Sequence, residues 1–154
     1  MTTKTADQRL RELEDRIAIK EIVDTFSNLA DIKNFGALVH LLTEDAEVDF
    51  YLGDTLLGSW KGRAEFEKAL SSFSSDFEAT YHFNGQQVIE VEGDNASSQH
   101  YCLAMQIALA GPKKTLTTNG VIYRDTYVRR ADGWKIAKHI SRFTWRDTGQ
   151  MSAA

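Results

Sequence analysis

From Thr80 onward the chain reads as four long strands in succession. That run constrains the fold more than anything else in the 154 residues. Thr80 to Glu92 ends at Gly93-Asp94-Asn95, a hairpin signal, and Ala96 to Leu109 returns to end at Gly111-Pro112. Thr115 to Arg130 ends at Ala131-Asp132-Gly133, and Trp134 to Arg146 closes the set. Short turns rich in Gly, Asn and Asp bring consecutive strands side by side. The expected product is an antiparallel meander, strongly curved because long strands twist.

Helical signals crowd the first half. Thr5 and Gln8 have the spacing of a capping box. Leu10, Leu13, Ile17, Ile19, Ile22 or Val23, Phe26, and Leu29 or Ala30 recur at three- and four-residue steps. This predicts a helix from Thr5 to Asp31, with the apolar stripe from Leu10 to Leu29 buried. Asn34 caps a second, shorter helix through Leu42. Glu47 to Leu52 reads as a strand, turned by Gly53-Asp54 into Leu56 to Trp60. Gly62 opens a third helix, with Phe66, Ala69, Leu70 and Phe73 on one face. Helices first and strands last indicate α+β. The expected architecture is one domain over residues 1–154, a curved antiparallel sheet capped by three helices of the N-terminal half. Residues of about 1–6 and 147–154 are expected to be flexible termini. A curved sheet closed at its mouth by helices encloses a cavity, a common ligand site.

Composition narrows the function. The net charge is -4 with no basic stripe, against nucleic acid as a partner. No apolar run reaches the roughly 18 residues of a membrane span, and the polar start Met1-Thr2-Thr3-Lys4-Thr5 has no signal-peptide core. Cys102 is the only cysteine, which excludes an intrachain disulfide and a zinc–cysteine cluster. A reducing cytoplasm is the expected location.

Several segments in order carry a family resemblance. Leu13-Glu14-Asp15-Arg16-Ile17-Ala18-Ile19-Lys20-Glu21 resembles the opening of SnoaL-like proteins with the nuclear-transport-factor-like cone fold. Asp31 resembles their acidic residue, Leu42-Thr43-Glu44-Asp45-Ala46 their helix-to-strand corner and His82-Phe83-Asn84 their histidine strand. Gly120-Val121-Ile122-Tyr123-Arg124-Asp125 and Arg129 to Ile136 resemble their last two strands. Within this group the chain is most similar to the branch of scytalone dehydratase, bile acid dehydratase and hexachlorocyclohexane dehydrochlorinase. That resemblance implies an Asp31–His82 pair that removes a proton without metal or organic cofactor. Ala96 to Leu109 and Thr115 to Arg130 carry apolar residues on both faces, so the outer face needs cover and a homo-oligomer is expected; the resemblance implies a trimer or a dimer. Two positions depart from the pattern. Phe26 stands where the dehydratases carry a tyrosine, and the second acid or base of the following strand falls near Met105 or Gln106.

The chemistry behind the pair is direct. A free imidazole titrates near 6.5. A carboxylate on one ring nitrogen fixes the tautomer and stabilises the imidazolium, so the other nitrogen can take a proton from carbon. Each residue also has a plain structural reading: His82 as a strand histidine bonded to a carbonyl, Asp31 as a helix-end residue. Phe26, Val48, Phe50, Trp60, Phe73, Phe77, His100, Cys102, Asn119, Val121, Tyr123 and His139 are candidates to line the substrate pocket, or to form the core. No metal site is expected, because His82, His100 and His139 lack familiar ligand spacing. Cys102 reads as a buried hydrophobe. The expected activity is a cofactor-independent lyase or isomerase acting on a small hydrophobic ring compound. Loss of water would need an acid, from Tyr123, His100 or solvent. The rivals are a non-catalytic ligand-binding module and an auxiliary subunit similar to that of ring-hydroxylating dioxygenases.

Overall fold

The computed structural model describes residues 4–110 and 113–151. The turn expected at Gly111-Pro112 lies outside the described residues. The elements follow as α1 (Ala6–Asp31), α2 (Phe35–Leu38), a 3₁₀ turn (Val39–Leu41), β1 (Leu42–Leu52), β2 (Thr55–Lys61), α3 (Arg63–Ser74), β3 (Ala79–Glu92), β4 (Asn95–Ala110), β5 (Lys113–Arg130) and β6 (Gly133–Gln150). This is an α+β architecture, but α3 follows the first hairpin, so the helices do not all precede the sheet. The second helix gives way at Val39, and β1 begins at Leu42 rather than Glu47. Leu42 pairs with Ile136, and an irregularity in register before Glu47 absorbs the corner. β6 runs on to Gln150, which pairs with Thr115.

α1 starts as its sequence dictates. Thr5 accepts from the Gln8 backbone at 3.2 Å, and the Gln8 side chain accepts from the Thr5 backbone at 2.8 Å. The expected burial of its whole stripe is corrected. Ile19, Ile22 and Val23 are buried, but Leu10, Leu13 and Ile17 are each more than half exposed. Asp31 meets His82, and Arg16 donates to the Ile89 carbonyl at 2.5 Å, so helix and strand run side by side over that span. Fifteen helical steps cover roughly 22 Å and seven strand steps roughly 23 Å. Three further strand steps to Glu92 cover roughly 10 Å and ten helical steps back to Ala6 roughly 15 Å, so only the first turn of the helix passes the end of β3.

The six strands are ordered β2-β1-β6-β5-β4-β3 in an open sheet. The β3–β4–β5–β6 meander is antiparallel throughout, but β1 joins β6 in parallel, which corrects an all-antiparallel expectation. A parallel neighbour needs a long crossover, and the whole segment from β2 to β5 supplies it. Side chains of β3 and β1 line one cavity. In a flat sheet these strands would lie roughly 19 Å apart, four spacings of about 4.8 Å. The sheet therefore curls around its inner face. Register breaks at Asn84/Gln87, Gly120/Val121 and Thr126/Tyr127 mark where strands bend.

The main core lies between the helices and the inner face, built on Ile19, Leu38, Val48, Phe66, Tyr127 and Ile136. The outer face is different. Phe83, Leu103, Gly120 and Trp145 occupy successive paired positions across β3 to β6. The Trp145 indole lies where a Gly120 side chain would begin. Tyr81, Phe83, Tyr101, Leu103 and Trp145 on this side are 41–60% exposed.

Candidate active site

Asp31 is the last residue of α1, and the chain leaves the helix through Lys33 in a left-handed conformation (φ 58°). Asn34 then caps α2, its side chain accepting from the Ala37 backbone. This sharp exit leaves the Asp31 carboxylate facing β3. A carboxylate at a helix C-terminus meets the unfavourable end of the helix dipole. Three donors from β3 offset that. The His82 backbone N–H donates at 3.0 Å, Thr80 Oγ1 at 3.3 Å, and His82 Nδ1 lies 2.6 Å from Oδ1. A carboxylate only accepts, so Nδ1 carries the proton; in the neutral ring Nε2 is then the atom left to accept one. Both side chains are about one fifth exposed (21% and 19%).

The His82 ring lines a cavity of about 70 Å³. α1 contributes Phe26 and Ala30; α2 contributes Phe35; α3 contributes Phe66, Leu70, Phe73 and Ser74; β1 contributes Phe50. The floor is Thr80 and His82 of β3, Ala104 and Gln106 of β4, Tyr123 of β5, and His139, Ser141 and Phe143 of β6. The wall is largely aromatic and apolar. A smaller chamber of about 10 Å³ shares Phe26, His82, Tyr123 and His139, and adds His100 and Asp125.

Of the expected lining residues, Phe26, Phe50, Phe73, Tyr123 and His139 face the main cavity, and His100 faces only the chamber. The others are placed elsewhere. Val48 is fully buried in the main core, and Trp60 packs against Phe50 and Phe66. Phe77 packs at a tilt against Phe73, outside the lining. Cys102 and Val121 are sealed in a small cluster with Ala104 and Phe143. Burial pushes the Cys102 thiol up to about 12, which suits a packing residue rather than a nucleophile. Asn119 is fully buried and occupied. Its amide donates to the Ala104 carbonyl and Gln106, and its oxygen accepts from Arg146 at 2.8 Å.

A second carboxyl group emerges that the sequence reading did not single out. Asp125, 3% exposed, lies on the inner face of β5, two residues from Tyr123. His139 Nδ1 is 2.6 Å from its Oδ1, and the Tyr127 hydroxyl donates to Oδ2 at 3.1 Å. Ser98 lies 2.9 Å from the Tyr127 hydroxyl. Ser141 Oγ lies 3.0 Å from His139 Nε2. The period-two spacings Tyr123–Asp125 and His139–Ser141 are the signals that could have identified them. His139 stacks between Phe26 (5.0 Å) and Tyr123 (5.2 Å), and Tyr123 stacks in turn on His100 (4.8 Å). Burial lowers the His100 pKa from 6.5 to about 4, Asp125 only partly opposing it. Burial raises the Tyr123 phenol well above its ordinary value. Among the described residues no group of three or more His, Cys, Asp or Glu side chains is arranged to hold a metal ion. No helix among them is long and apolar enough to cross a membrane.

Comparison with known proteins sets this site in a family context. A family model described as a SnoaL-like domain matches residues 11–139. An uncharacterized protein of Mycobacterium tuberculosis H37Rv is 30% identical over 130 residues, which cover 84% of this chain and 85% of the relative. An NTF2-like protein with a cystatin-like fold from Novosphingobium aromaticivorans superposes with a TM-score of 0.72 at 24% identity, covering 92% of each chain. The hexachlorocyclohexane dehydrochlorinase LinA-type3 from Novosphingobium barchaimii LL02 superposes with a TM-score of 0.77 at 20% identity, covering 95% of this chain and 96% of that one. At these identities the two structures establish a shared fold.

Proposed function

The chain belongs to the SnoaL-like domain family, and on that premise we propose that it is a cofactor-independent lyase or isomerase. It removes a carbon-bound proton from a mostly apolar ring compound. His82 is the base and Asp31 its orienting partner. The observation that carries this reading is the 2.6 Å contact between Asp31 and His82 Nδ1 at the edge of an aromatic-lined cavity. Ionised Asp31 stabilises the imidazolium that forms, and the apolar wall favours a ring over a charged metabolite. A dehydrochlorinase among the structural neighbours fits the same elimination chemistry.

The exposed Tyr81, Phe83, Tyr101, Leu103 and Trp145 support self-association as part of this reading. Contiguous apolar patches of this kind mark interaction surfaces on proteins of this size. A trimer or a dimer formed through the outer face covers them.

The test is deuterium exchange at the carbon beside the carbonyl of 1-tetralone, followed by proton NMR in D2O. Wild-type protein accelerates exchange, and His82→Ala lowers the rate by about 10²–10⁴-fold, the range typical of a positioned general base. Asp31→Asn keeps the fold and loses much of the rate. Exchange at the buffer rate with wild-type protein, or unchanged exchange with a folded His82→Ala variant, rejects the assignment in favour of a binding module.

A further inference from the structure

Elimination of water needs two proton transfers, one off carbon and one onto the departing oxygen. His82 serves the first. The donors considered from the sequence do not suit the second. His100 lines only the small chamber, and burial keeps its ring neutral well below pH 6. Tyr123 reaches the cavity, but burial raises its phenol pKa, and no imidazole among the described residues is hydrogen-bonded to its hydroxyl to resupply a proton.

Another set of side chains meets the same cavity from β5 and β6. Ser141 and His139 both line it, on the floor that also carries His82. Ser141 Oγ is 3.0 Å from His139 Nε2, and His139 Nδ1 is 2.6 Å from Asp125 Oδ1. All three are at most 4% exposed. Tyr127 holds the other Asp125 oxygen, and Phe26 and Tyr123 clamp the imidazole between their faces. A buried polar chain of this length is costly unless every member is paired, and here each is.

We infer that Ser141 is the proton donor to the leaving group and that His139, positioned by Asp125, resupplies it. This rests on the lyase reading above and sharpens its substrate class to ring ketones with a hydroxyl β to the carbonyl. The transfers balance. His82 Nε2 takes the proton from the carbon between carbonyl and carbinol, the electron pair becomes the new C=C bond, and the C–O bond breaks. The departing oxygen takes the Ser141 hydroxyl proton and leaves as water. Ser141 takes the Nε2 proton of the His139 imidazolium, whose charge Asp125 balances. The site resets when the proton on His82 returns to His139 through solvent. Ser141 touches the substrate in this scheme; His139 and Asp125 act through it.

The experiment uses two probes that differ only in leaving group, 3-hydroxy-1-tetralone and 3-acetoxy-1-tetralone. Both eliminate to 1-naphthol, read by its fluorescence. Acetate departs as a stable anion and needs no donated proton. Ser141→Ala is expected to slow the hydroxy probe by about 10²-fold or more relative to the acetoxy probe, and 1-tetralone exchange by wild-type protein reports the His82 step separately. Asp125→Asn must show the same split, and it decides the question if Ser141→Ala fails to unfold cooperatively. Ser141→Cys, which keeps a donatable proton, restores part of the hydroxy rate. An equal fall on both probes, or no fall on either, overturns the donor role while 1-tetralone exchange still reports His82. If wild-type protein does not exchange 1-tetralone, the lyase reading itself fails and the donor role with it.

Discussion

His100 makes the acid side of the stability curve predictable. Its ring is 4% exposed, Nδ1 has no hydrogen-bond partner among the described residues, and the Asp125 carboxylate sits 3.8 Å away without making a bond. Burial is the largest cause of its lowered pKa. Asp125 pulls the other way, and His139 adds to the fall. The sign follows. Between pH 6.5 and about 4 the unfolded chain binds a proton at this position that the folded protein refuses, so stability rises with pH across that window. The contribution is complete above 6.5 and is lost progressively as pH falls toward 4. A gap of about 2.5 pH units at about 1.36 kcal/mol each amounts to roughly 3 kcal/mol, of which about 2 kcal/mol disappears between pH 7 and pH 5. That is a large part of a typical margin of about 5–15 kcal/mol. Urea unfolding of wild type and His100→Gln at pH 7, 6 and 5 isolates the term, because other titrations cancel in the comparison. The wild-type curve should fall more steeply, closing on the variant by about 2 kcal/mol at pH 5. Parallel curves would refute the claim that the ring is buried and neutral.

Three further outcomes are expected. Phe66→Ala, at a side chain 1% exposed that contacts Phe26, Phe50 and Trp60, should cost about 3–5 kcal/mol in urea unfolding; a loss under about 1 kcal/mol would show that the site collapses freely. Cys102 should resist aromatic disulfide reagents at pH 8 in native protein and react at once in urea, since burial holds the thiol near 12; fast native reaction would contradict its burial. The double substitution Tyr81→Glu, Phe83→Glu should convert an assembly into a species of about 17.4 kDa by light scattering, whereas wild type already at that mass at micromolar concentration would remove the outer face as an interface.

How much of this was legible in the sequence depended on the range of the interaction. The capping box at Thr5 and Gln8 and the turns at Gly53, Gly93 and Gly133 are local matters, and they stand as read. Hydrogen bonds within a helix and side-chain alternation along a strand are set by neighbours a few residues away. Asp31 and His82 were visible for another reason: together with a recurring order of segments they matched a family. The rest was decided by long-range geometry. Which side of α1 meets the sheet is fixed by contacts far along the chain, such as Arg16 with Ile89, so Leu10 and Leu13 carry a core pattern and yet lie in solvent. The parallel seating of β1 on β6 follows from which edge the first hairpin meets after the meander closes. Val48, Trp60 and Asn119 sit at the right periodicity for the cavity, but the curl of the sheet gives them to the core and to a hydrogen-bond cluster. The register of the β5–β6 hairpin sets Asp125 opposite His139 and Tyr123 opposite Ser141, and α1 lays Phe26 over the His139 ring. Sequence alone determined the elements and their inward faces. Tertiary structure alone decided which inward side chains surround empty space, because a cavity is what remains when elements far apart in the chain cannot pack completely.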